Sequence, residues 1–369
     1  EHRRNKLLIR KAVSIPLIVT AVFFFSHASV LHSQENSASL PNQKVVIKSN
    51  GTVEVPARSV PLSTFLSPQA KSYMTQHLKD MQDPELLKSD NGVPRFMRHY
   101  LERDEEQFSL NRKDEHIAGV HVYVYVPKDG IAAENRHRVL INLHGGGFSG
   151  CWPGCAELES MPISALMRIK VVTVDYREAP GYKFPAASED VAKVYANLLK
   201  TYKPGNIGIY GCSAGGMLTA MSLAWFQTHS LPTPGADGIF CASAGAFGGD
   251  ATYIAFPLGE ARMPALGGIS QRQLGYFSGS NMGDPLVRPS ASAAVLAKFP
   301  PTLLITATRD FALSGAINTE ILLTKAGVDS ELHVWDGLFH GFFYNADVPE
   351  SKEAFGIIGK FFDRHLGKD

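Results

Sequence analysis

The stretch Gly211 to Gly215 has the pattern G-x-S-x-G, in which a serine stands between two glycines. It comes directly after the apolar run Ile207 to Tyr210 and before a helix-like stretch, which is the context of a sharp strand-to-helix turn. Such a turn lifts the Ser213 hydroxyl clear of the sheet, and glycine lets the backbone pack that closely. The pattern predicts that Ser213 is a nucleophile. A serine that caps a helix beside packing glycines is the alternative.

A second glycine-rich stretch, His144 to Phe148, follows the apolar run Val139 to Leu143. Consecutive glycines can direct backbone N–H groups to one point, as the stabilisation of a transition-state oxyanion requires. A phosphate-binding loop is the competing interpretation, but the Lys-Ser or Lys-Thr pair of a P-loop does not follow. Because Ser213 is present in the same chain, the stretch predicts an oxyanion hole.

A serine nucleophile needs a base and an acid that orients the base. Asp310 follows the apolar run Leu303 to Ala307, and His340 follows the strand-like stretch Glu331 to Trp335. Both therefore lie where loops leave the carboxyl ends of strands, the edge at which open α/β sheets bind ligands. The order Ser213, Asp310, His340 along the chain is that of α/β hydrolases. Rivals in the same regions are Asp284, Asp336 and His333 for the acid and base, and Cys212 for the nucleophile.

The elements that must position these residues alternate between apolar runs and helical stretches. Runs such as Val171 to Val174 and Ile239 to Ala242 are typical of strands buried on both faces of a mostly parallel sheet. Helical stretches such as Ala186 to Lys200 lie between them, which predicts the α/β fold class. Val120 to Val126 alternates with the period of a strand. Upstream, helical periodicity follows the N-cap Ser67, and a second helix-like stretch covers Phe96 to Phe108.

Composition limits the classes of function. The 369 residues carry 36 basic and 35 acidic side chains, so a general basic surface for nucleic acid is excluded. Hydrophobic residues make up 44% of the chain, enough for a sizeable core. Four cysteines are too few for a disulfide-built scaffold. No cofactor motif or metal-ligand spacing stands out, so we expect neither a cofactor nor a metal.

The N-terminal residues have the order of an export signal. Basic residues precede the apolar run Ala12 to Phe25, and small residues follow at Ser26 and Ala28. We predict a signal peptide over residues 1–28, with a linker over residues 29–60. The apolar run is shorter than the ~20 residues that span a bilayer, so no stable membrane span is expected. An uncleaved membrane anchor is the alternative. Export, to the periplasm or the medium, would place the cysteines in an oxidising compartment.

Seven motifs occur between Val120 and the C-terminus: HGGGF (144–148), DYR-x-AP (175–180), FPAA-x-ED (184–190), G-x-SAGG (211–216), DPLV (284–287), PPTL (300–303) and FHGF (339–342). Together they resemble the hormone-sensitive lipase family of α/β hydrolases. The resemblance implies Ser213 as nucleophile, His340 as base and Asp310 as the acid that holds the base. It also implies an oxyanion hole formed by the N–H groups of Gly145, Gly146 and Ala214, a helical cap, and carboxylesterase activity on short acyl chains. Cys212 departs from the family, which usually has Asp or Thr there.

These observations predict the organisation of the whole chain. We expect a helical cap over residues 61–115 and an α/β-hydrolase catalytic domain over residues 116–369, with a mostly parallel central sheet, flanking helices and a further cap contribution near residues 250–283. The predicted function is a serine carboxylesterase that hydrolyses short- to medium-chain esters through an acyl-enzyme. An amidase or lactonase with the same residues, or a catalytically silent ligand-binding protein, is the alternative. The partner is then a small-molecule ester, and a homodimer is compatible with the sequence.

Two further groups of residues lie close to the motifs. Cys151 and Cys155 flank a short turn after the glycine loop, and either a small disulfide or two free thiols fits that spacing. Four aromatic residues are predicted to line the acyl pocket, with plain core packing as the alternative. They are Phe148, Trp152, Phe339 and Phe343.

Overall fold

The structure, a computed structural model, describes residues 44–264 and 275–367. The described part of the chain divides into two compact units, with the boundary between Ser59 and Val60. In the first unit the described residues contain a short antiparallel ribbon, β1 (Val46–Ile47) and β2 (Val53–Glu54). The predicted signal peptide and the start of the linker lie outside the described residues.

The second unit contains an eight-stranded sheet and a small ribbon of β3 (Ser89–Asp90) and β4 (Val93–Pro94). In space the eight strands follow the order β12-β11-β10-β9-β7-β8-β6-β5. The six strands from β12 to β8 are parallel to one another. At the other edge, β6 pairs antiparallel with β8, and β5 pairs antiparallel with β6. The strands are β5 (Leu110–Ile117), β6 (Val120–Pro127), β7 (Val139–Leu143), β8 (Lys170–Val174), β9 (Ile207–Cys212), β10 (Ala236–Phe240), β11 (Thr302–Arg309) and β12 (Ser330–Phe339).

Helices cover both faces of this sheet. Residues of α3 and α9 belong to the core cluster on one face, and residues of α4, α5 and α8 belong to the cluster on the other. Successive residues of β7 point to opposite faces, so Ile141 packs in one cluster and Leu140 in the other. The helices are α1 (Pro68–Asp80), α2 (Arg98–Gln107), α3 (Gly154–Met167), α4 (Ala186–Leu198), α5 (Ala214–Thr228), α6 (Ala251–Glu260), α7 (Ala293–Leu296), α8 (Leu313–Lys325) and α9 (Pro349–His365).

The predicted α/β class and its alternation of strands and helices are confirmed. The predicted N-cap is present, because the Ser67 Oγ accepts a hydrogen bond of 3.0 Å from the Ala70 N–H at the start of α1. The predicted boundary at residue 116 is wrong, because the sheet already begins with β5 at Leu110. The further cap contribution predicted near residues 250–283 contains helix α6, and residues 265–274 of that region lie outside the described part of the chain.

Candidate active site

Ser213 lies at a tight turn between β9 and α5, in the middle of the sheet. Its backbone has φ 57° and ψ −120°, a combination that costs energy for a residue with a side chain and that recurs at functional sites. The turn also packs directly against β7. A Cβ atom at Gly215 would lie 1.7 Å from the Leu143 carbonyl oxygen, so only glycine fits. The strand-to-helix turn predicted from the G-x-S-x-G pattern is therefore present.

The glycine loop follows β7, the strand next to β9 in the sheet. Gly146 has φ +119°, and a Cβ atom there would lie 1.9 Å from the Gly150 carbonyl oxygen. Gly146 and Gly147 line one cavity together with Ser213. The loop thus brings bare backbone to the serine, as an oxyanion hole requires.

Two other predicted N–H donors have different surroundings. Ala214 is the first residue of α5, where a backbone N–H has no partner within the helix. The Gly145 N–H instead donates a 2.8 Å hydrogen bond to the Glu159 Oε1. The oxyanion role predicted for Gly145 is therefore wrong for this structure, because a buried carboxylate already takes its N–H.

Asp310 and His340 meet at the ends of the neighbouring strands β11 and β12. The Asp310 Oδ1 lies 2.8 Å from the His340 Nδ1, and Asp310 is fully buried. The Ala312 N–H donates to the same oxygen at 2.8 Å, and the Thr306 hydroxyl donates to Oδ2 at 2.7 Å. These bonds fix the carboxylate, so it holds the imidazole in one orientation. His340 lines the same cavity as Ser213.

The electrostatics of this pair favour a charged imidazole. Burial opposes ionisation of both groups, but their mutual attraction and hydrogen bonds outweigh it. The pKa of Asp310 is consequently lowered, and the pKa of His340 is raised above its usual value. Glu260 and Glu159 add to the rise in the pKa of His340. An imidazole tuned in this way accepts a proton readily.

The rival acids and the rival base have other partners. The Asp336 carboxylate binds the Ser63 and Thr308 hydroxyls at the exposed start of the second unit. The His333 Nε2 lies 3.3 Å from the Glu331 carboxylate. The Asp284 Oδ1 accepts the Leu286 N–H at 2.9 Å. Of the predicted acids and bases, the structure pairs Asp310 with His340.

The cavity above these residues has a volume of about 470 Å³, within the usual range for small-molecule sites. Residues of the sheet edge form its floor: Gly146, Gly147, Ser213 and His340. Residues that precede the sheet in sequence form its roof: Tyr73, His77, Met81, Phe96, Met97 and Tyr100. Glu260, at the end of α6, and Phe311 complete the wall. The N-terminal helices therefore close the site from above, as a cap would.

Three of the four aromatic residues predicted for the pocket are not among its described lining residues. Phe148 is buried against Tyr276, with ring centroids 4.7 Å apart. Trp152 packs on Tyr123 at 4.7 Å, and Phe343 packs among core aromatics. Those three predictions are wrong, and Phe339 is the one that lines the cavity. Phe148 and Phe343 pack in the core instead, whereas the half-buried Trp152 packs against Tyr123 and the histidines His121 and His144.

Sequence reasoning did not single out the roof residues or Glu260. The roof residues carried a helical signal that predicts a buried face without showing what that face covers. Glu260 is 9% exposed, and burial raises its pKa against the opposing charges of His340 and Arg262. The signal that could have identified Glu260 is its position as a carboxylate at the end of the apolar stretch Ala251–Glu260.

Two pairs of cysteines surround the site. Cys151 and Cys155 form a disulfide with Cα atoms 5.4 Å apart, and both residues line the cavity. Cys212 and Cys241 are free and buried. Burial raises the pKa of the Cys212 thiol, and its side chain is 1% exposed as part of the core. It therefore lacks the accessible thiolate that a cysteine nucleophile needs.

One group of side chains in the described part of the chain has the spacing of metal ligands. It consists of Cys241, Asp310 and His340, whose ligand atoms lie within 4.8 Å of one another. The Cys241 Sγ accepts a hydrogen bond from the Gly341 N–H at 3.3 Å, and burial raises its pKa well above the usual value. A protonated thiol is a poor metal ligand. We interpret the group as the surroundings of the Asp310–His340 pair.

Known proteins share this architecture. The profile of the family described as alpha/beta hydrolase fold matches residues 140–344, and the chain belongs to this family. An acetyl-hydrolase of Streptomyces hygroscopicus is 26% identical over 240 residues, which cover 63% of this chain and 77% of the relative. The carboxylesterase/phospholipase LipF of Mycobacterium tuberculosis is 27% identical over 254 residues, covering 62% of this chain and 63% of the relative.

Solved structures agree with these relatives. The esterase E25 superposes with a TM-score of 0.72 at 26% identity, covering 85% of this chain and 99% of that one. An esterase of the bacterial hormone-sensitive lipase family has the same fold, with a TM-score of 0.67 at 23% identity over 82% of this chain and 99% of the other. The predicted family resemblance and the predicted enzyme class, a carboxylic ester hydrolase, are confirmed. No helix in the described part of the chain is long and apolar enough to cross a membrane.

Proposed function

We propose that this hydrolase is a serine carboxylesterase that works through an acyl-enzyme. The observation that carries the proposal is the convergence of Ser213, the Asp310–His340 pair and the Gly146 backbone on one cavity. Ser213 stands on the strained turn, the pair can accept and hold a proton, and bare backbone lies beside both. Each is a separate requirement of acyl transfer.

The reaction follows from these positions. His340 removes the Ser213 proton as the hydroxyl oxygen attacks the ester carbonyl, and Asp310 stabilises the resulting imidazolium. The N–H groups of Gly146 and Ala214 bind the oxyanion, with Gly147 as a further candidate from the same loop. When the intermediate collapses, the ester C–O bond breaks, the alcohol leaves with the proton from His340, and the acyl group stays on Ser213. Water activated by His340 then releases the acid.

The shape of the cavity supports esters of short to medium acyl chain. The floor is polar backbone, whereas the roof is apolar and aromatic, so an acyl group would contact the roof while its carbonyl faces the floor. The cavity has a volume of about 470 Å³ and is bounded on this side by side chains such as Phe96 and Tyr100, which a short or medium acyl chain would contact.

The test is a series of p-nitrophenyl esters from acetate to long acyl chains. We expect turnover on the short and medium esters with a decline for long ones. Ser213→Ala should lower kcat by about 10⁴-fold or more, whereas Ser278→Ala, at an exposed serine outside the cavity lining, should not change it. Absence of turnover on every ester would refute the proposal. Hydrolysis retained in Ser213→Ala would favour Cys212 as the nucleophile.

The two alternatives use the same residues and are distinguished by two probes. Turnover of p-nitrophenyl amides or lactones at rates above those of esters would favour the amidase or lactonase. A fluorophosphonate probe reports whether the serine is activated, because it labels activated serines covalently. Labelling of the wild type but not of Ser213→Ala would exclude a silent binding protein. The intact Asp310–His340 pair favours activation.

We also propose export, on the basis of the predicted signal peptide. The Cys151–Cys155 disulfide supports it, because such bonds persist in oxidising compartments. Intact mass of the mature protein recovered from a bacterial host should show cleavage near Ala28. Full-length material retained in the cytosol would contradict export. We propose no stable membrane span, and sedimentation of the purified protein would show whether it is a homodimer.

A further inference from the structure

Glu159 is a buried carboxylate on the inner face of α3, and it is 2% exposed. Its Oε1 accepts hydrogen bonds from the Gly145 N–H at 2.8 Å and from the Tyr344 hydroxyl at 2.8 Å. Its Oε2 accepts hydrogen bonds from the Asn142 side-chain amide at 2.9 Å and from the Cys212 N–H at 3.3 Å. Four neutral donors therefore converge on one carboxylate.

The donors belong to the segments that carry the candidate catalytic groups. Gly145 directly precedes Gly146 of the floor, and Cys212 directly precedes Ser213. Tyr344 lies in the helical turn that follows His340. One side chain thus connects the glycine loop, the serine turn and the histidine loop from beneath the floor.

We propose that Glu159 is a positioning residue that fixes the glycine loop relative to Ser213. The proposal rests on the proposed function. The hydrogen-bonded carboxylate fixes the distance between the Gly145 and Cys212 backbones. Because Gly146 and Ser213 are the next residues on these two segments, it thereby also positions Gly146 relative to Ser213. Misplacement of an oxyanion donor by about 1 Å can lower a rate by about 100-fold.

The contacts at Gly145 show how little freedom this arrangement has. A Cβ atom at Gly145 would meet the Tyr344 hydroxyl at 3.1 Å, the Cys212 carbonyl oxygen at 3.3 Å and the Glu159 Oε1 at 3.3 Å. The loop, the serine turn and the carboxylate are therefore in mutual contact at this point. A shift of one requires a shift of the others.

The charge of Glu159 matters for the same reason. Burial raises the pKa of Glu159 to about 7, and the four hydrogen bonds act against that rise. Ionised, the side chain accepts all four hydrogen bonds; protonated, one oxygen becomes a donor, and of the four partners only the Tyr344 hydroxyl can reverse and accept that proton. The titratable side chains around it are Tyr344, Cys212, Tyr176, Tyr210 and His340. The tyrosines and Cys212 stay neutral there, because their pKa values are raised.

Glu159→Gln tests the proposal with almost no change in shape. Gln has one acceptor oxygen where Glu has two, and its NH₂ group must face one pair of donors. The Tyr344 hydroxyl can reverse and accept, but a backbone N–H cannot. The cost therefore falls on the Gly145 or Cys212 N–H, which are the contacts that the proposal invokes.

We expect Glu159→Gln to lower kcat for p-nitrophenyl butyrate by about 10- to 100-fold with KM within about threefold. The pH profile gives a readout that lost stability would not produce. In the wild type His340 must be deprotonated and Glu159 holds the floor best when ionised, so log kcat/KM should approach a slope of two over the pH range in which both groups titrate. In Glu159→Gln the slope should be one.

Glu157→Gln is the matched control. Glu157 is a buried carboxylate on the same helix, but it pairs with Arg112 away from the cavity. We expect it to reduce Tm and to leave kcat and the slope unchanged. Wild-type kcat and a slope of two in Glu159→Gln would overturn the proposal, and so would an equal loss of kcat in both variants.

Two further measurements keep the result interpretable. A wild type that neither turns over esters nor reacts with fluorophosphonate refutes the proposed function itself, separately from the role of Glu159. If Glu159→Gln does not fold, Tyr344→Phe replaces it, because loss of the Tyr344 hydrogen bond raises the pKa of Glu159 further. The acid limb of kcat should then move to higher pH. An unmoved limb would overturn the proposal.

Discussion

The floor and the roof of the cavity are built by different means. On the floor, backbone conformation determines what is presented: Ser213 has a positive φ, and Gly146 has a positive φ and no room for a side chain. On the roof, ordinary helical segments present side chains such as Phe96 and Tyr100. The floor is consequently sensitive to single atoms, whereas the roof can change volume and polarity while its backbone stays in place. Substitutions in the two regions should therefore affect different kinetic constants.

The largest effect is expected at the pair that supports the floor. Asp310→Asn preserves shape but removes the charge that orients His340 and raises its pKa. We expect kcat for p-nitrophenyl butyrate to fall by about 10³- to 10⁴-fold. Asp336→Asn, at the rival acid, should stay within about twofold, as expected for a group outside the site. Comparable losses in both variants would contradict the assignment of Asp310.

A smaller effect is expected from a single methyl group in the glycine loop. Gly146→Ala places a Cβ atom 1.9 Å from the Gly150 carbonyl oxygen, so the loop must shift. We expect kcat to fall by about 100-fold, the usual result of losing an oxyanion donor. Gly119→Ala is the control, since it has φ +81° and free space around it. That variant should lose about 1–2 kcal/mol of unfolding free energy with kcat unchanged. A wild-type kcat in Gly146→Ala would show that the loop is not part of the floor's chemistry.

For a substitution on the roof we expect a change in the preferred acyl-chain length without a loss of turnover. Phe96→Ala enlarges the cavity on the acyl side, so kcat/KM for octanoate relative to acetate should rise by about 10-fold, the range that one or two buried methylenes provide. Turnover of acetate should stay within about threefold of wild type. Phe108→Ala removes a half-buried ring outside the cavity lining and should leave the ratio unchanged. An unchanged ratio in Phe96→Ala would mean that the acyl chain does not contact the roof.

The smallest effect concerns the wall between the two regions. Because the charge of Glu260 helps to raise the pKa of His340, Glu260→Gln should lower that pKa. The base form of His340 is the active one, so the acid limb of kcat/KM should move to lower pH. The exposed Glu115 on β5 serves as control, and Glu115→Gln should leave the limb in place. A limb that stays in place, or moves upward, in Glu260→Gln would show that Glu260 does not act on His340.

Much of the floor could be predicted because its chemistry is local in sequence. Ser213, Asp310 and His340 each follow a strand directly, and parallel strands bring their carboxyl ends to one edge. The mostly parallel sheet could be predicted for the same reason, since β7, β8 and β9 are continuous apolar runs. A helical cap could be predicted from the family resemblance, but its lining residues could not, because the sequence does not show that Phe96 and Ser213 line one cavity.

The failures have physical causes as well. Glu159 carried no pattern of its own, because the apolar helix α3 contains two carboxylates, Glu157 and Glu159, and the sequence does not show which backbone either one faces. Gly145 could not be distinguished from Gly146 without that carboxylate, since both are unsubstituted backbone in one motif. Strand β5 was missed because most of its side chains are exposed on both faces, so the alternation that indicates a strand is absent.

The composition of β5 also affects how molecules of this protein meet one another. An outermost strand leaves unpaired backbone groups that can recruit a strand from another molecule. Here that strand reads LNRKDEHI, and six of its eight residues are exposed. Arg112, Lys113, Asp114 and Glu115 place charged side chains along this edge, and charged side chains are one means by which natural proteins make an edge strand a poor template for pairing. We therefore expect this rim of the sheet to disfavour strand-to-strand pairing between copies.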